Sequence, residues 1–341
     1  MPEVNSIEPG AQDIVISVCM IARDEEEYIS KSIASVRKYV DEIILLDTGS
    51  KDRTTEIARS SGAKVFNANW EGNFAAARNE SIRHAKGKWI FVLDADEELD
   101  AVSGAQLREL LTNSNADAFE VTIRSKLPEN DVVKYEEIVL TRLFRNRLNY
   151  RYELPIHEQI RPSIERSGGI IRKSQILITH YGYLKASVQG KGNRIERNIY
   201  LLEKALAREP GNPYILYQLG ATYKYAGENK KALELLLKAE LEDRGRLSPN
   251  IREKLYVKLG QLSLDKGNYA DAVQFEGKAL EINPRNEIAM LVTSVSFLFM
   301  NNVAEAYGFL QRMRKLGISS LRDDSVLEKL ISVCRSFGFS G

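Results

Sequence analysis

Two aspartates directly follow an apolar run in one segment of the chain. Residues 89–93 have the composition of a buried strand, and Asp94 and Asp96 flank Ala95 where that strand should end. In open α/β sheets, ligands bind at the carboxyl ends of strands. Two carboxylates one residue apart supply hard oxygen ligands for a divalent cation that carries a diphosphate. The segment therefore predicts chemistry on an activated phosphate compound.

Two earlier apolar runs also end in acidic residues. The run 14–21 leads to Asp24 and Glu25, and the run 42–46 leads to Asp47. Helical patterns alternate with these strands, which predicts a parallel sheet with helices on both faces. A single acid after a strand is usually a helix cap or a solvated turn. Three such strand ends on one rim favour a ligand site.

The bulk properties narrow the choice of class. A length of 341 residues suggests two domains, and a net charge of +1 gives no broad field for nucleic acid or anionic membranes. The first dozen residues are polar and no apolar stretch reaches membrane-spanning length, so we expect a cytoplasmic protein without an integral membrane segment. Cys19 lies in an apolar run and is interpreted as a buried thiol.

Four motifs carry a resemblance to a known family. They are Ser-Val-Cys-Met-Ile-Ala-Arg-Asp-Glu from residue 17, Glu-Ile-Ile-Leu-Leu-Asp-Thr-Gly-Ser-Lys-Asp-Arg-Thr from residue 42, Ala-Ala-Arg-Asn from residue 76, and Asp-Ala-Asp from residue 94. Their order over about 80 residues resembles the family-2 inverting glycosyltransferases of the GT-A fold. Asp24 departs from the pattern, because that family more often has Asn there.

The resemblance implies a nucleotide-sugar donor, with a UDP sugar expected. In that family, the turn after the first strand and the acid at the end of the second strand hold the nucleoside. The corresponding positions here are Ile21, Ala22, Arg23, Glu25 and Asp47. A carboxylate can accept strong hydrogen bonds from uracil N–H or ribose hydroxyl groups.

The same resemblance assigns the Asp-x-Asp segment to donor and metal. Asp94 would face the ribose and join the metal site, Ala95 would line the donor, and Asp96 would bind Mn²⁺ or Mg²⁺ at the two phosphates. The metal would neutralise the leaving diphosphate. Arg78 would contact the base or the diphosphate; its alternative is an ordinary surface arginine of a helix.

The segment 139–160 is expected to carry acceptor chemistry. In related bacterial enzymes an Arg-x-Phe-x-Asn segment, found here at 142–146, precedes a similar His-Glu pair. An inverting transfer needs a base for the acceptor proton. Glu158 is the first choice and Glu153 the second, with His157 orienting Glu158 or touching the diphosphate. Both acids are alternatively solvated loop carboxylates.

The three histidines have different expected roles. His84 is interpreted as a surface or packing residue. Many enzymes of the fold that the chain resembles use a downstream His as an additional metal ligand, and neutral imidazole suits transition metals. His180 follows a strand-like run, so the resemblance predicts it as a third metal ligand. Its alternative is packing between Tyr181 and Tyr183. The glycines at 168–169 and at 190 and 192 predict flexible connections that could flank a lid.

The C-terminal half is self-similar from about residue 194. Gly220, Ala232 and Ala239 share their spacing with residues 260, 272 and 279, which is the tetratricopeptide pattern of paired helices. Gly220 and Gly260 are 40 residues apart, whereas the usual repeat has 34 residues. About six extra residues are therefore expected near 243–249. Residues 318–334 are predicted to form a capping helix.

The predicted architecture is an α/β GT-A, Rossmann-like domain at 1–190, followed by an all-α tetratricopeptide-like domain at 191–341. Such arrays leave a concave surface for peptide binding or for self-association, for example as a homodimer; a passive scaffold is the alternative. This layout resembles the sublancin-type peptide S-glycosyltransferases.

The leading hypothesis is metal-dependent inverting transfer to a Cys, Ser or Thr side chain of a peptide or protein. The alternatives are a glycosyltransferase that uses a cell-surface or lipid-linked glycan and a non-catalytic scaffold with a vestigial sugar-nucleotide domain.

Overall fold

The computed structural model describes residues 15–112, 114–127, 134–182, 191–317 and 324–337. The chain forms two compact units, Met1–Arg194 and Ile195–Gly341. The predicted domain boundary after residue 190 lies slightly N-terminal of this division. Two residues named in the sequence predictions lie outside the described residues: Gly190, which was predicted to flank a lid, and Tyr183.

The N-terminal unit alternates strands and helices. Its strands in the described part are β1 (Ile16–Ala22), β2 (Glu42–Asp47), β3 (Lys64–Asn67), β4 (Trp89–Val92), β5 (Glu97–Leu99), β6 (Ala118–Leu127), β7 (Lys134–Arg145) and β8 (Ile171–His180). Its helices there are α1 (Ile29–Val36), α2 (Thr54–Ser60), α3 (Phe74–Arg83), α4 (Ala101–Leu111) and α5 (Arg161–Arg166).

These strands form one mixed sheet in the order β3-β2-β1-β4-β7-β6-β8-β5. Strands β1 to β4 are parallel, as predicted, while β7 runs antiparallel to both β4 and β6. Ala22 at the end of β1 is in register with Asp47 at the end of β2. The carboxyl ends of the parallel strands therefore meet at one edge, which is where the acidic residues follow.

The sheet is covered on both faces. Alternate residues of β1 enter different apolar clusters: Val18 and Met20 pack with Ile33 of α1, whereas Cys19 packs with Ala75 of α3. Such two-sided burial requires continuous apolar strands, and every residue of β2 and β4 is buried. Burial also raises the pKa of the Cys19 thiol, as expected for an inert core cysteine.

The C-terminal unit is helical. In the described residues its helices are α6 (Lys191–Arg208, which begins in the N-terminal unit), α7 (Pro213–Tyr225), α8 (Asn229–Asp243), α9 (Pro249–Asp265), α10 (Tyr269–Ile282), α11 (Glu287–Phe299), α12 (Val303–Lys315) and α13 (Asp324–Ser336). The predicted capping helix corresponds to α13, while residues 318–323 lie outside the described part. Among the described residues of the whole chain, no helix is long and apolar enough to cross a membrane.

Small residues bring the paired helices together, as the repeat pattern predicts. A Cβ atom at Gly220 would lie 2.8 Å from Cγ of Leu236, and Ala232 and Ala239 are fully buried. The extra residues expected near 243–249 fall in two places. Arg244 and Gly245 adopt positive φ angles in the connection after α8, and α9 has 17 residues where α7 has 13.

Glu276 is an exception to the apolar packing of the repeats. It is fully buried on α10 against Gly260 of α9, and neither carboxylate oxygen has a hydrogen-bond partner among the described residues. Burial raises the pKa of Glu276 to about 9. The folded protein therefore holds this carboxyl group in its neutral form at neutral pH.

This burial predicts a pH-dependent stability. Folding raises the pKa of Glu276 from 4.5 to about 9, so the contribution of this residue to the free energy of unfolding falls as the pH rises through that range. At pH 7 the cost amounts to roughly 3 kcal/mol. We expect Glu276→Gln to flatten the dependence in chemical denaturation between pH 5 and about pH 9. The exposed control, Glu281→Gln, should keep it; equal slopes for wild type and Glu276→Gln would contradict the prediction.

Candidate active site

The Asp94–Glu97 turn joins β4 to β5 at the edge where the parallel strands end. The Glu97 amide donates to the Asp94 carbonyl over 3.1 Å, and the Asp94 amide donates to Oε2 of Glu97 over 2.9 Å. The Ser32 hydroxyl donates to the Asp94 carbonyl over 3.1 Å. These bonds fix the turn from both sides, so the directions of Asp94 and Asp96 are set by the backbone.

Asp94 is held by two buried arginines. Its Oδ1 accepts from Arg78 of α3 over 2.8 Å, and its Oδ2 accepts from Arg142 of β7 over 3.0 Å. Arg142 also lies 3.6 Å from Oε1 of Glu97. Burial alone would raise the pKa of Asp94, but the charges of Arg142 and Arg78 hold it well below its usual range. Asp94 is therefore an ionised carboxylate with both oxygens engaged.

Glu97 behaves differently from Asp94. Burial raises its pKa to about 7, the charge of Asp94 adds to that rise, and Arg142 opposes it. Two carboxyl groups that share one arginine thus have separated pKa values, because Asp94 has a second arginine and Glu97 does not.

Asp96 pairs with His180. Antiparallel pairing of β5 and β8 sets His180 opposite Glu97, and Nε2 of His180 lies 3.4 Å from Oδ2 of Asp96. Nδ1 of His180 lies 3.1 Å from the Ser125 hydroxyl. A Cβ atom at Gly182 would contact the Asp96 carboxylate and would lie 2.6 Å from Nε2 of His180, so only glycine leaves room for this pair.

Of the three predicted metal ligands, Asp96 and His180 are placed to bind an ion, whereas Asp94 is not. Asp96 and His180 offer a carboxylate oxygen and an imidazole nitrogen side by side, a donor set that suits Mn²⁺. Asp94 gives both oxygens to arginines instead, and the described residues contain no group of three His, Cys, Asp or Glu side chains arranged to hold an ion. The residues fit a metal held by two protein ligands, with phosphate oxygens and water completing its shell.

The predicted nucleoside positions gather at the ends of β1 and β2. The Thr48 amide donates to the Ala22 carbonyl over 2.9 Å, and the Glu25 amide donates to the Thr54 hydroxyl over 2.7 Å. Asp24, next to Arg23, has a φ of 56°, a conformation that Asn and Asp tolerate best. Ile21 precedes this turn at the end of β1.

Asp47 is buried and shapes its own turn. Its Oδ2 accepts from the Gly49 and Ser50 amides, each over 3.0 Å, and its Oδ1 accepts from the Ser50 hydroxyl. A cavity of about 510 Å³ opens beside it. The lining residues are Asp47, Gly49, Ser50, Thr55, Arg59, Asn67, Ala68 and Asn69. The cavity is large enough for part of a nucleotide and is rich in polar groups.

The structure brings Glu158 to the cluster and leaves Glu153 outside it. Oε1 of Glu158 accepts from Nε of Arg78 over 2.6 Å, so Arg78 joins Glu158 to Asp94. Glu153 is more exposed and pairs with Arg166. His157 precedes Glu158 with a φ of 52°. A left-handed conformation in a non-glycine residue is a form of strain that recurs at functional sites.

Several functional residues escaped the sequence reasoning. Arg142 forms ion pairs with Asp94 and with Glu97, and Tyr152 lies beneath Arg78, whose guanidinium carbon is 5.6 Å from the ring centroid. Arg142 is the first residue of the Arg-x-Phe-x-Asn pattern at 142–146, but the pattern did not indicate which residues Arg142 would contact. His84 stacks on Phe66 with ring centroids 3.7 Å apart, which agrees with a packing role.

Comparisons with known proteins place these features in a family. Residues 17–171 match the model of glycosyl transferase family 2, and residues 201–234 match a tetratricopeptide repeat. A TPR repeat-containing protein of Synechococcus elongatus is 38% identical over 278 residues, which cover 80% of this chain and 67% of that protein.

Two further proteins are similar to parts of the chain. The SPbeta prophage-derived glycosyltransferase SunS of Bacillus subtilis is 24% identical over 226 residues, 66% of this chain and 53% of that protein, so the match spans about half of its length. Glucosyl-3-phosphoglycerate synthase from Mycobacterium tuberculosis, solved with Mn²⁺ and UDP-glucose, has a TM-score of 0.30 at 25% identity over 35% of this chain and 50% of that chain. That score is too low to relate the two arrangements.

The Asp96–His180 pair predicts a measurable pKa change. Burial lowers the pKa of His180, but the hydrogen bond and charge of Asp96 outweigh it and raise the pKa above its usual value. Asp96→Asn should therefore move the midpoint of the His180 titration to lower pH, followed by NMR of the metal-free protein. Asp100→Asn, a change at the cap of α4, should leave the midpoint in place. An unchanged midpoint in Asp96→Asn would show that the pair does not exist in solution.

Proposed function

We propose that this protein moves a sugar from a UDP donor to a peptide or protein side chain, with inversion of the sugar linkage and with a divalent metal. The chain belongs to glycosyl transferase family 2 and is a glycosyltransferase with tetratricopeptide repeats. The observation that carries this proposal is the arrangement at the rim of the sheet. There the Asp96–His180 pair adjoins the buried cluster of Arg78, Asp94 and Arg142.

Asp96 and His180 are the residues that would hold Mn²⁺ or Mg²⁺. The ion would neutralise the negative charge that develops on the leaving diphosphate. The protein contributes a fixed turn, because Glu97, Ser32 and the Tyr181 amide all bond to the backbone around Asp96. Gly182 keeps the space beside the pair open. Fixed ligands of this kind need no reorganisation when charge develops.

The nucleoside is assigned to the turns that follow β1 and β2. Backbone bonds tie the two turns together, and the cavity beside Asp47 offers amide and guanidinium groups from Asn67, Asn69 and Arg59. These groups present both donors and acceptors, which a pyrimidine edge requires. A uridine diphosphate is the expected occupant of this rim.

Glu158 is proposed as the base that takes the acceptor proton. Its carboxylate is mostly buried at the cluster, and Arg78 fixes one of its oxygens over 2.6 Å. General base catalysis needs a carboxylate that is held in a fixed position. Glu153 is the second candidate for the base, because it lies outside the cluster in a surface ion pair with Arg166.

The acceptor is proposed to be a Cys, Ser or Thr side chain of a peptide or protein. The support is the order of the domains, which resembles the peptide S-glycosyltransferases, together with the tetratricopeptide repeats that commonly bind peptides. To test the peptide acceptor, the protein is incubated with UDP sugars, Mn²⁺ and peptides that contain Cys, Ser or Thr. Mass spectrometry then measures whether a sugar has been added to the peptide. Transfer to glycan acceptors alone would overturn the peptide proposal while leaving the donor proposal intact.

The metal proposal predicts the behaviour of Asp96→Asn. Losing one carboxylate ligand should weaken the binding of UDP in the presence of Mn²⁺ by about 10- to 100-fold in calorimetry. Binding measured with EDTA should change little, because the nucleoside contacts remain. Asp100→Asn is the matched control. If Asp96→Asn bound UDP as tightly as wild type with Mn²⁺, the metal assignment would be wrong.

The base proposal predicts a selective loss in Glu158→Gln. The amide keeps a hydrogen-bond acceptor for Arg78 but cannot take a proton, so kcat for a hydroxyl acceptor should fall by about 10²- to 10⁴-fold. The loss should be smaller for a thiol acceptor, which is partly ionised near neutral pH. UDP affinity should stay close to wild type, and the exposed control Glu165→Gln should keep full activity. A larger loss in Glu153→Gln than in Glu158→Gln would transfer the role to Glu153.

A further inference from the structure

A continuous series of ion pairs runs through the candidate active site. Glu158 contacts Arg78 at 2.6 Å, Arg78 contacts Asp94 at 2.8 Å, Asp94 contacts Arg142 at 3.0 Å, and Arg142 lies 3.6 Å from Glu97. The five residues come from four separate places in the chain: α3, the Asp94–Glu97 turn, β7 and the segment before α5. The series therefore ties the proposed base to the turn that carries the proposed metal ligand.

Arg142 is the member of this series that contacts both ends of the Asp94–Glu97 turn. Its side chain is buried on β7, and its two ionic partners are the first and last residues of the turn, Asp94 and Glu97. Asp96 lies between those two residues. Both contacts are made by one nitrogen, Nη2, which lies 3.0 Å from Asp94 and 3.6 Å from Glu97.

The cluster is not optimised for stability alone. Nη1 of Arg78, Nη1 of Arg142 and the Tyr152 hydroxyl are buried and have no hydrogen-bond partner in the described part of the protein. Buried polar atoms without partners are unfavourable, and apolar side chains of similar volume often replace buried ion pairs without loss of stability. A cluster with such costs points to a role in the reaction.

We propose that Arg142 is a positioning residue for the transfer reaction. By gripping Asp94 and Glu97 it sets the turn that presents Asp96, and through Asp94 it sets Arg78 and so the direction of Glu158. Arg142 itself touches neither the donor nor the acceptor. This inference rests on the proposed function, since it assigns Asp96 to the metal and Glu158 to the acceptor proton.

Two variants separate positioning from folding. Arg142→Lys keeps the charge but replaces the planar guanidinium group with a smaller ammonium group. The double variant Arg142→Met with Glu97→Gln removes the arginine together with the carboxyl group that it would leave unpaired. Arg145→Gln is the control: Arg145 lies three residues along the same strand, bonds to the Ala116 and Ser114 carbonyls, and stacks on Trp89.

The measurements are the melting temperature and the Kd for UDP with saturating Mn²⁺. We expect Arg142→Lys and the double variant to weaken UDP binding by about 10- to 100-fold, the size of effect seen when a residue outside the ligand shell no longer orients the ligands. Arg145→Gln should lower the melting temperature and leave the Kd unchanged. Binding by both Arg142 variants within about twofold of wild type would overturn the inference, whatever their melting temperatures.

The outcome for wild type keeps the two proposals apart. If wild type binds no UDP with Mn²⁺, the proposed function fails before Arg142 is tested. If wild type binds UDP and the Arg142 variants bind equally well, the donor proposal stands and only the positioning role is lost.

Discussion

The grip of two buried arginines on the Asp94 carboxylate is the constraint on which the candidate site depends. Arg78 comes from helix α3 and Arg142 from strand β7, so one carboxylate joins two elements to the end of β4. Removing either cation would leave the buried negative charge with one partner instead of two, which is costly in a low-dielectric interior. Asp96 follows two residues later in the same turn, whose backbone is also held by Glu97, Ser32 and Tyr181.

Strands β7 and β8 complete the edge of the sheet at which the parallel strands β1, β2 and β4 end. Strands β1, β2 and β4 bring acidic residues to one rim, as in any open parallel sheet. Strand β8 then adds His180 beside Asp96, and strand β7 adds Arg142 beside Asp94. The rim therefore combines acidic residues that follow β1, β2 and β4 with partners from β7, which runs antiparallel to β4, and from β8, which runs parallel to β6.

Buried charge is treated in opposite ways in the two units. Around Asp94, cations compensate the carboxylate and keep it ionised. At Glu276 the described residues supply no compensating cation, and the carboxyl group is neutral at pH 7 because burial raises its pKa to about 9. The first arrangement preserves a charge that can act on a ligand, while the second only fills space opposite Gly260.

The sequence alone determined the order of elements, the two domain types and the acidic rim, because apolar periodicity, a repeat spacing and local motifs are all short-range signals. The positions of Asp96 and His180 as neighbours were predicted, since both follow strands. Only the tertiary structure decided that Asp94 serves arginines, that Glu158 joins the cluster and that Glu153 does not. Those outcomes depend on which strands pair and on where long side chains reach, and neither is written in the local pattern of residues.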